Sequence, residues 1–145
     1  MADATQTGVG KAFQLQVITP ERIMYDTRAT ALIATASDGM LGVLKNHAPL
    51  VTPLVPGELV ITSSTGEKQH LAAGEGFLEV CDNKVRVLVD TAETPEEIDA
   101  ERARQALERA KERLAQRGLK DVDYPRAEAA LRRALIRLRT KQSLG

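Results

Sequence analysis

Aromatic residues are scarce in this chain: Phe, Tyr and Trp together make 3% of 145 residues, and there is no tryptophan. A hydrophobic core must therefore come from Val, Leu, Ile and Ala. The stacking platforms that single-stranded nucleic acid requires are correspondingly scarce. Cysteine is nearly absent: Cys81 stands alone, which excludes an internal disulfide and leaves no sign of an oxidising compartment. No stretch approaches the roughly 20 apolar residues that cross a bilayer. Residues 1–11, polar and glycine-containing, do not read as a secretory signal. A chain without direct membrane insertion is expected. No Gly-x-Ser-x-Gly or phosphate-cradling glycine loop occurs, and neither His47 nor His70 has cysteine or carboxylate partners at metal-ligand spacing. No metal site is expected. Net charge is also lacking, because 20 Lys and Arg balance 20 Asp and Glu, so overall charge selects no partner.

What the chain does have is 43% hydrophobic residues, enough for a packed core. They recur with two different periods. In residues 12–92 the pattern is that of short strands: Phe13, Leu15 and Val17 alternate with Gln14 and Gln16. Residues 29–36 end at the turn signal Ser37-Asp38-Gly39, Ser63-Ser64-Thr65-Gly66 reads as a hairpin loop, and Asp82-Asn83 as a two-residue connection with positive backbone angles. Closely spaced strands with no helical pattern between them predict an antiparallel sandwich or barrel.

From Thr94 the period changes. Thr94-Pro95-Glu96-Glu97 offers a hydroxyl cap, proline at the first helical position and glutamate three residues after the cap. Ala103, Leu107, Ala110 and Leu114 then make one apolar stripe. Gly118 is placed to end the helix. Asp121 or Asp123 caps a second helix with Pro125 in its first turn, and Ala127, Leu131, Ala134 and Leu138 repeat the stripe. Helices of about 16 to 22 residues joined by a short link predict an antiparallel pair. With two leucines per stripe, each worth roughly 1.5–3 kcal/mol when buried, such a pair either stays packed or opens at modest cost.

Isolated candidates for chemistry are few. His47, in Asn46-His47-Ala48-Pro49, reads as a loop residue whose ring hydrogen-bonds the backbone, and His70 as a solvent-facing strand residue. Cys81, His47 and Asp38 name a conceivable nucleophile, base and orienter, but Cys81 lies in an alternating strand with Phe77 and Glu79 and reads as a small core residue. The second helix is strongly basic: Arg126, Arg132, Arg133, Arg137, Arg139 and Lys141 stand against Glu128 alone. Asp99, Arg102 and Arg109 project from similar angles on the first helix, and Arg133 and Arg137 are four apart on the second. If the helices close, these groups converge on one anion, for which the arginine fork is suited. The alternative is a solvated, salt-bridged face.

Several stretches resemble one family. Phe13-Gln14-Leu15-Gln16-Val17-Ile18-Thr19-Pro20 is similar to the first strand of ATP synthase epsilon subunits. The segment from Asp38-Gly39-Met40-Leu41-Gly42-Val43-Leu44 through Lys45-Asn46-His47-Ala48-Pro49-Leu50 resembles their Gly-x-x-Gly-[Val/Ile]-Leu-x-x-His-Ala-Pro-Leu segment. Pro56-Gly57-Glu58-Leu59 and Gly74-Glu75-Gly76-Phe77 follow in order. Lys45 replaces a common proline, Glu75 a common glycine, and eleven residues precede Ala12. The resemblance implies an all-β sandwich of about ten strands (residues 12–92) after a flexible tail (residues 1–11). An antiparallel two-helix hairpin follows (residues 93–145).

It further implies a non-catalytic rotor subunit of a proton-translocating F-type ATP synthase. The implied partners are the gamma subunit, the c-subunit ring and the beta and alpha subunits. The implied location is the cytoplasmic face of the bacterial plasma membrane or the thylakoid membrane. Asp38, Met40 and His47 are the implied interface residues. Ile98-Asp99-Ala100-Glu101-Arg102-Ala103 resembles the Ile/Leu-Asp-x-x-Arg-Ala motif of epsilon subunits that bind ATP. Carried over residue by residue, Glu93, Asp99, Arg102, Arg109, Arg133 and Arg137 match in type, which implies regulatory ATP with no required cofactor. Two rival classes are a nucleic-acid module built on the basic helices, disfavoured by the acidic start of the first helix, and a small hydrolase using His47 or Cys81.

Overall fold

Phe13, Leu15 and Val17 point inward and Gln14 and Gln16 outward along β1 (Phe13–Ile18), as strict alternation requires. The computed structural model describes residues 11–116 and 122–143. Two compact units result, Met1–Ala92 and Glu93–Gly145. Residues 1–10 of the tail, Gly118 and Asp121 lie outside the described residues.

After β1 the first unit continues with β2 (Ile23–Ala36), β3 (Gly39–Leu44), β4 (Leu50–Leu54), β5 (Gly57–Ser63), β6 (Lys68–Ala73), β7 (Gly76–Cys81) and β8 (Lys84–Val89), and the short β9 (Ala92–Glu93) falls where the first unit ends and the second begins. The order is β1-β8-β7-β4-β2-β5-β6-β9, with β3 on β2 and a further β1–β2 pairing. Nine strands are described, against about ten expected, because β2 is one 14-residue strand serving two layers. Its first half pairs with β1, from Ile18↔Ile23 to Phe13↔Ala29. Its second half pairs with β3 and β5, after an irregularity between Ala29 and Ala31 that turns the strand from one layer to the other. Of the pairings whose register is described, all are antiparallel as expected except that of β1 with β8, which run parallel. Six strands lie between these two in sequence, so the chain returns without the helical crossover that parallel neighbours usually need.

The core fills the space between layers with Phe13, Leu15, Val17, Leu32, Leu59, Leu71, Leu78, Val85 and Val87. At the β7–β8 turn both Asp82 (φ 50°) and Asn83 (φ 61°) adopt left-handed angles, as read from the sequence. Asn83 does more: its Nδ2 donates to Ala12 O at 3.1 Å and its Oδ1 accepts from Asn46 N at 2.8 Å. One turn residue thus ties the start of β1 to the β3–β4 connection. Asn46 is itself left-handed (φ 58°), a conformation asparagine tolerates, in the turn closed by His47 N on Leu44 O at 3.2 Å.

Two sequence expectations are corrected here. Cys81 is exposed rather than core. Leu78 and Val80 are the buried residues of β7, so Phe77, Glu79 and Cys81 share the opposite face. His70 is half-buried rather than solvent-facing, and its Nδ1 bonds the Glu58 carboxylate across the β5–β6 pair.

The second unit opens with a single 3₁₀ turn, Pro95–Glu97, followed by α1 (Ala100–Ala115) and α2 (Tyr124–Gln142). The capping box at Thr94 forms, but on the 3₁₀ turn. Ile98 is extended (φ −79°, ψ 123°) and interrupts the helical path, and Asp99 starts α1 with a second cap. Asp123 caps α2, and the helices pack on each other. The stripes meet as expected, with Ala103, Ala110, Ala127 and Ala134 fully buried and the leucines only half-buried.

A Cβ on Gly76 would stand 1.8 Å from Leu88 O and 2.7 Å from Val89 Cα, both backbone atoms of the paired strand. Gly76→Ala must therefore push β7 from β8, and thermal or denaturant unfolding is expected to show a loss of about 2–4 kcal/mol. A loss below about 0.5 kcal/mol would show that the strands separate freely at this point.

Candidate functional site

Each side chain at the start of the helical unit is fixed by a local rule. Thr94 Oγ1 accepts from Glu97 N at 3.4 Å, and Glu97 Oε2 accepts from Thr94 N at 3.2 Å, the reciprocal box that satisfies free amides at a helix start. Asp99 Oδ1 accepts from Arg102 N at 3.1 Å. The two caps in series set Glu93, Glu97 and Asp99 around one opening, to which α1 contributes Arg102 and α2 contributes Arg137. Together with Ile98 these residues line a cavity of about 220 Å³. Arg137 Nε donates to Glu93 Oε1 at 2.6 Å, a short charge-assisted bond with both side chains partly exposed.

The cavity is smaller than the roughly 300–1,000 Å³ typical of ligand pockets, so it accommodates one end of a nucleotide-sized molecule. Its lining holds three carboxylates against two guanidiniums, one formal negative charge in excess. It suits hydrogen-bond donors of a ligand at the carboxylates, and an oxyanion at Arg102 or, in exchange for Glu93, at Arg137. Among the described residues no group of three or more His, Cys, Asp and Glu is arranged to hold a metal ion.

Of the six residues carried over for ATP, the structure brings Glu93, Asp99, Arg102 and Arg137 to this cavity, while Arg109 and Arg133 do not line it. Arg109 lies two turns beyond Arg102 on α1, and Arg133 one turn before Arg137 on α2; both are exposed. Asp99 is engaged as a helix cap, a role that its place in the motif does not reveal. Glu97 and Ile98 line the cavity without having been singled out as site residues, although the Thr94 capping box placed Glu97 at a helix start.

The interface candidates fall elsewhere, in the first unit. Asp38 sits in the β2–β3 turn and Met40 on β3, 75% exposed. His47 follows the other end of β3, with its Nδ1 at 2.7 Å from Ala48 O, the backbone contact expected of it. Roughly 20 Å of strand separates Asp38 from His47, so the two are not one cluster. Met40 shares the outer face of β3 with Leu44. Val51 and Phe77 are exposed on the paired strands β4 and β7, where Val51 faces Glu79 and Phe77 faces Pro53. Sequence reasoning missed Leu44, Val51 and Phe77; for Leu44 and Phe77 the signal available was their alternation with the buried Val43 and Leu78.

A double-mutant cycle of Glu93→Gln and Arg137→Met, followed by thermal unfolding, is expected to give a coupling of about 1 kcal/mol. A coupling below about 0.3 kcal/mol would show that this contact contributes no stability.

Residues 12–95 match the family model for the ATP synthase delta/epsilon chain β-sandwich domain, and residues 96–142 that for its long α-helix domain. The ATP synthase epsilon chain of Natranaerobius thermophilus is 46% identical over 129 residues, 88% of this chain and 91% of that one. That of Moorella thermoacetica is 47% identical over 128 residues, covering 88% and 95%. Among solved structures, a chain of the Euglena gracilis mitochondrial ATP synthase (OSCP/F1/c-ring) superposes with a TM-score of 0.76 at 25% identity, covering 92% of this chain and 81% of that one. A chain of the Tetrahymena thermophila mitochondrial ATP synthase central stalk and c-ring shares the fold, with a TM-score of 0.58 at 15% identity and coverage of 90% and 94%. With both of its units matched in order and nearly half its residues identical to such relatives, this chain belongs to the ATP synthase epsilon chain family.

Proposed function

We propose that the chain is a non-catalytic rotor subunit of a proton-translocating F-type ATP synthase. In this reading the sandwich couples rotation of the c-subunit ring, through the gamma subunit, to the catalytic head, and the helical unit regulates ATP hydrolysis. The observation that carries the first part is an apolar outer surface on an otherwise ordinary sandwich. Met40 (75% exposed), Val51 (69%), Leu44 (64%), Ile23 (59%) and Phe77 (53%) lie open to solvent. Met40 and Leu44 share one face of β3, and Val51 and Phe77 one face of the β4–β7 pair; exposed apolar patches of this kind mark protein–protein interaction sites. No helix among the described residues is long and apolar enough to cross a membrane, so attachment at the cytoplasmic face of a bacterial plasma membrane, or at a thylakoid membrane, runs through the partner subunits.

The regulatory part rests on the basic α2 and its alanine-rich contact with α1. As a closed hairpin the unit leaves rotation free. Extended, its arginines meet acidic residues of the beta or alpha subunits and block hydrolysis. Regulatory ATP, with one end at the cavity formed by Glu93, Asp99, Arg102 and Arg137 and the rest reaching along the exposed helix faces toward Arg109 and Arg133, favours the closed hairpin in proportion to its differential affinity for the two states. Its phosphates compete with Glu93 for Arg137, which makes the affinity modest.

Truncation after Thr94 removes the arm and leaves the sandwich strands intact. The ATPase rate of the assembled complex is expected to rise severalfold, and an unchanged rate would refute inhibition by the helices. Replacement of Arg102 and Arg133 by alanine is expected to weaken ATP binding by the purified chain at least tenfold, on the order of 1.4 kcal/mol. Calorimetry that finds no loss would remove the proposed site.

A further inference from the structure

α2 is held to the start of its own unit at two points one helical turn apart. Arg137 Nε donates to Glu93 Oε1 at 2.6 Å, and Lys141 Nζ donates to Pro95 O at 3.0 Å. Arg137 and Lys141 are four residues apart and so share a face of α2, while their acceptors lie two residues apart in the segment that leads into α1. The seat is well defined. Pro95 is buried, and its carbonyl already accepts from Ile98 N at 3.3 Å, so the lysine takes the second lone pair.

The neighbouring contact is poorer. Thr140 is fully buried, and its Oγ1 is the one buried side-chain oxygen among the described residues without a hydrogen-bond partner. An orphaned hydroxyl opposes burial of the last turn of α2, and the alanine stripe offers little apolar area to offset it. The two charge-assisted bonds therefore hold a larger share of the closure than surface contacts normally do.

They differ in what can displace them. Arg137 and Glu93 both line the open cavity, where an incoming oxyanion can replace the carboxylate; Lys141 does not line it. We propose that Arg137 and Lys141 form a two-point clasp on the helix pair, in which the Glu93–Arg137 contact is exchangeable and the Lys141–Pro95 contact holds α2 closed during the exchange. Lys141 is thus a positioning residue that sets how readily the arm opens, an inference that rests on the mobile-arm reading above.

The test uses the full chain in a Cys81→Ser background, with spin labels on cysteines at Gln105 and Arg139. Both positions are exposed and lie toward the same end of the hairpin. Pulsed dipolar spectroscopy then reads the closed and open distance populations. Lys141→Met is expected to raise the open-to-closed ratio roughly fivefold, the scale of one charge-assisted hydrogen bond of modest net strength. Lys141→Arg retains a charged donor and is expected to stay near the parent. Helix content by circular dichroism should not change in either. If the Met variant fails to fold, Lys141→Gln, which keeps a neutral donor, is expected to open the arm to an intermediate degree. A parent that opens with a Lys141→Met variant that superposes on it would overturn the clasp alone, and so would a Lys141→Arg variant as open as Lys141→Met. An arm that never opens in any variant would overturn the mobile-arm reading together with the clasp.

Discussion

The sandwich depends on one strand belonging to two layers at once. β2 gives its first half to β1 and its second half to β3 and β5, and the irregularity at residues 29–31 marks the place where it changes partners. Leu32 and Ala34 are buried in the second half, Ala29 at the bend. The consequence for the rest of the unit is geometric. With β2 shared, β1 can lie against β8, β7 can reach β4, and the two inner faces can meet over Phe13, Leu59, Leu71 and Leu78 with no tryptophan to fill space. Close approach then replaces bulk: Gly76 lets the backbone of β8 come nearer than any side chain would allow.

The same economy of side-chain size shapes the helical unit. Four alanines form the buried part of the α1–α2 contact, which brings the helices together but buries little apolar area. Specific polar contacts carry the remaining task of holding the unit in one arrangement. The caps at Thr94 and Asp99 fix the entry of α1, Tyr124 Oη donates to Gln116 O at 2.7 Å beside the interhelical link, and Arg137 and Lys141 bind the far end of α2. A contact made of small residues and a few exchangeable polar bonds is the kind of assembly that a ligand or a partner can shift, because few kilocalories separate its states. In the function proposed above, attachment falls to the sandwich and response to the helical unit, two tasks divided between units with different physics.

Much of this was legible from pattern. Strict alternation located β1, the Asp82-Asn83 turn followed from its need for positive φ, and the apolar spacing of three and four placed both helical stripes. The departure at Glu75 also becomes intelligible. Its carbonyl accepts from Asp90 N at 2.9 Å while its side chain is exposed, so a residue larger than glycine fits there, whereas a Cβ on Gly76 would meet the backbone of β8 and one on Gly74 the side chain of Asp90. Other features were not legible. Cys81 and Leu78 are both apolar residues of β7, and which one faces inward depends on the sheet against which β7 is pressed. His70 finds Glu58 only because β5 and β6 pair in one register. The start of α1 was misplaced by one turn because two capping sequences follow each other, and local propensity does not say which of them begins the longer helix.

By itself the sequence determined the two periods, the residue at which one gives way to the other, the turns and the caps, because these depend on backbone angles and hydrogen bonds within a few residues. It also determined which charges each helix carries. Only the tertiary structure decided that β2 is shared, that Glu93 meets Arg137 across 44 residues of chain, and that Lys141 reaches the carbonyl of Pro95. Those pairings join segments distant in sequence, and their geometry is fixed by how whole elements pack, a quantity no local pattern contains.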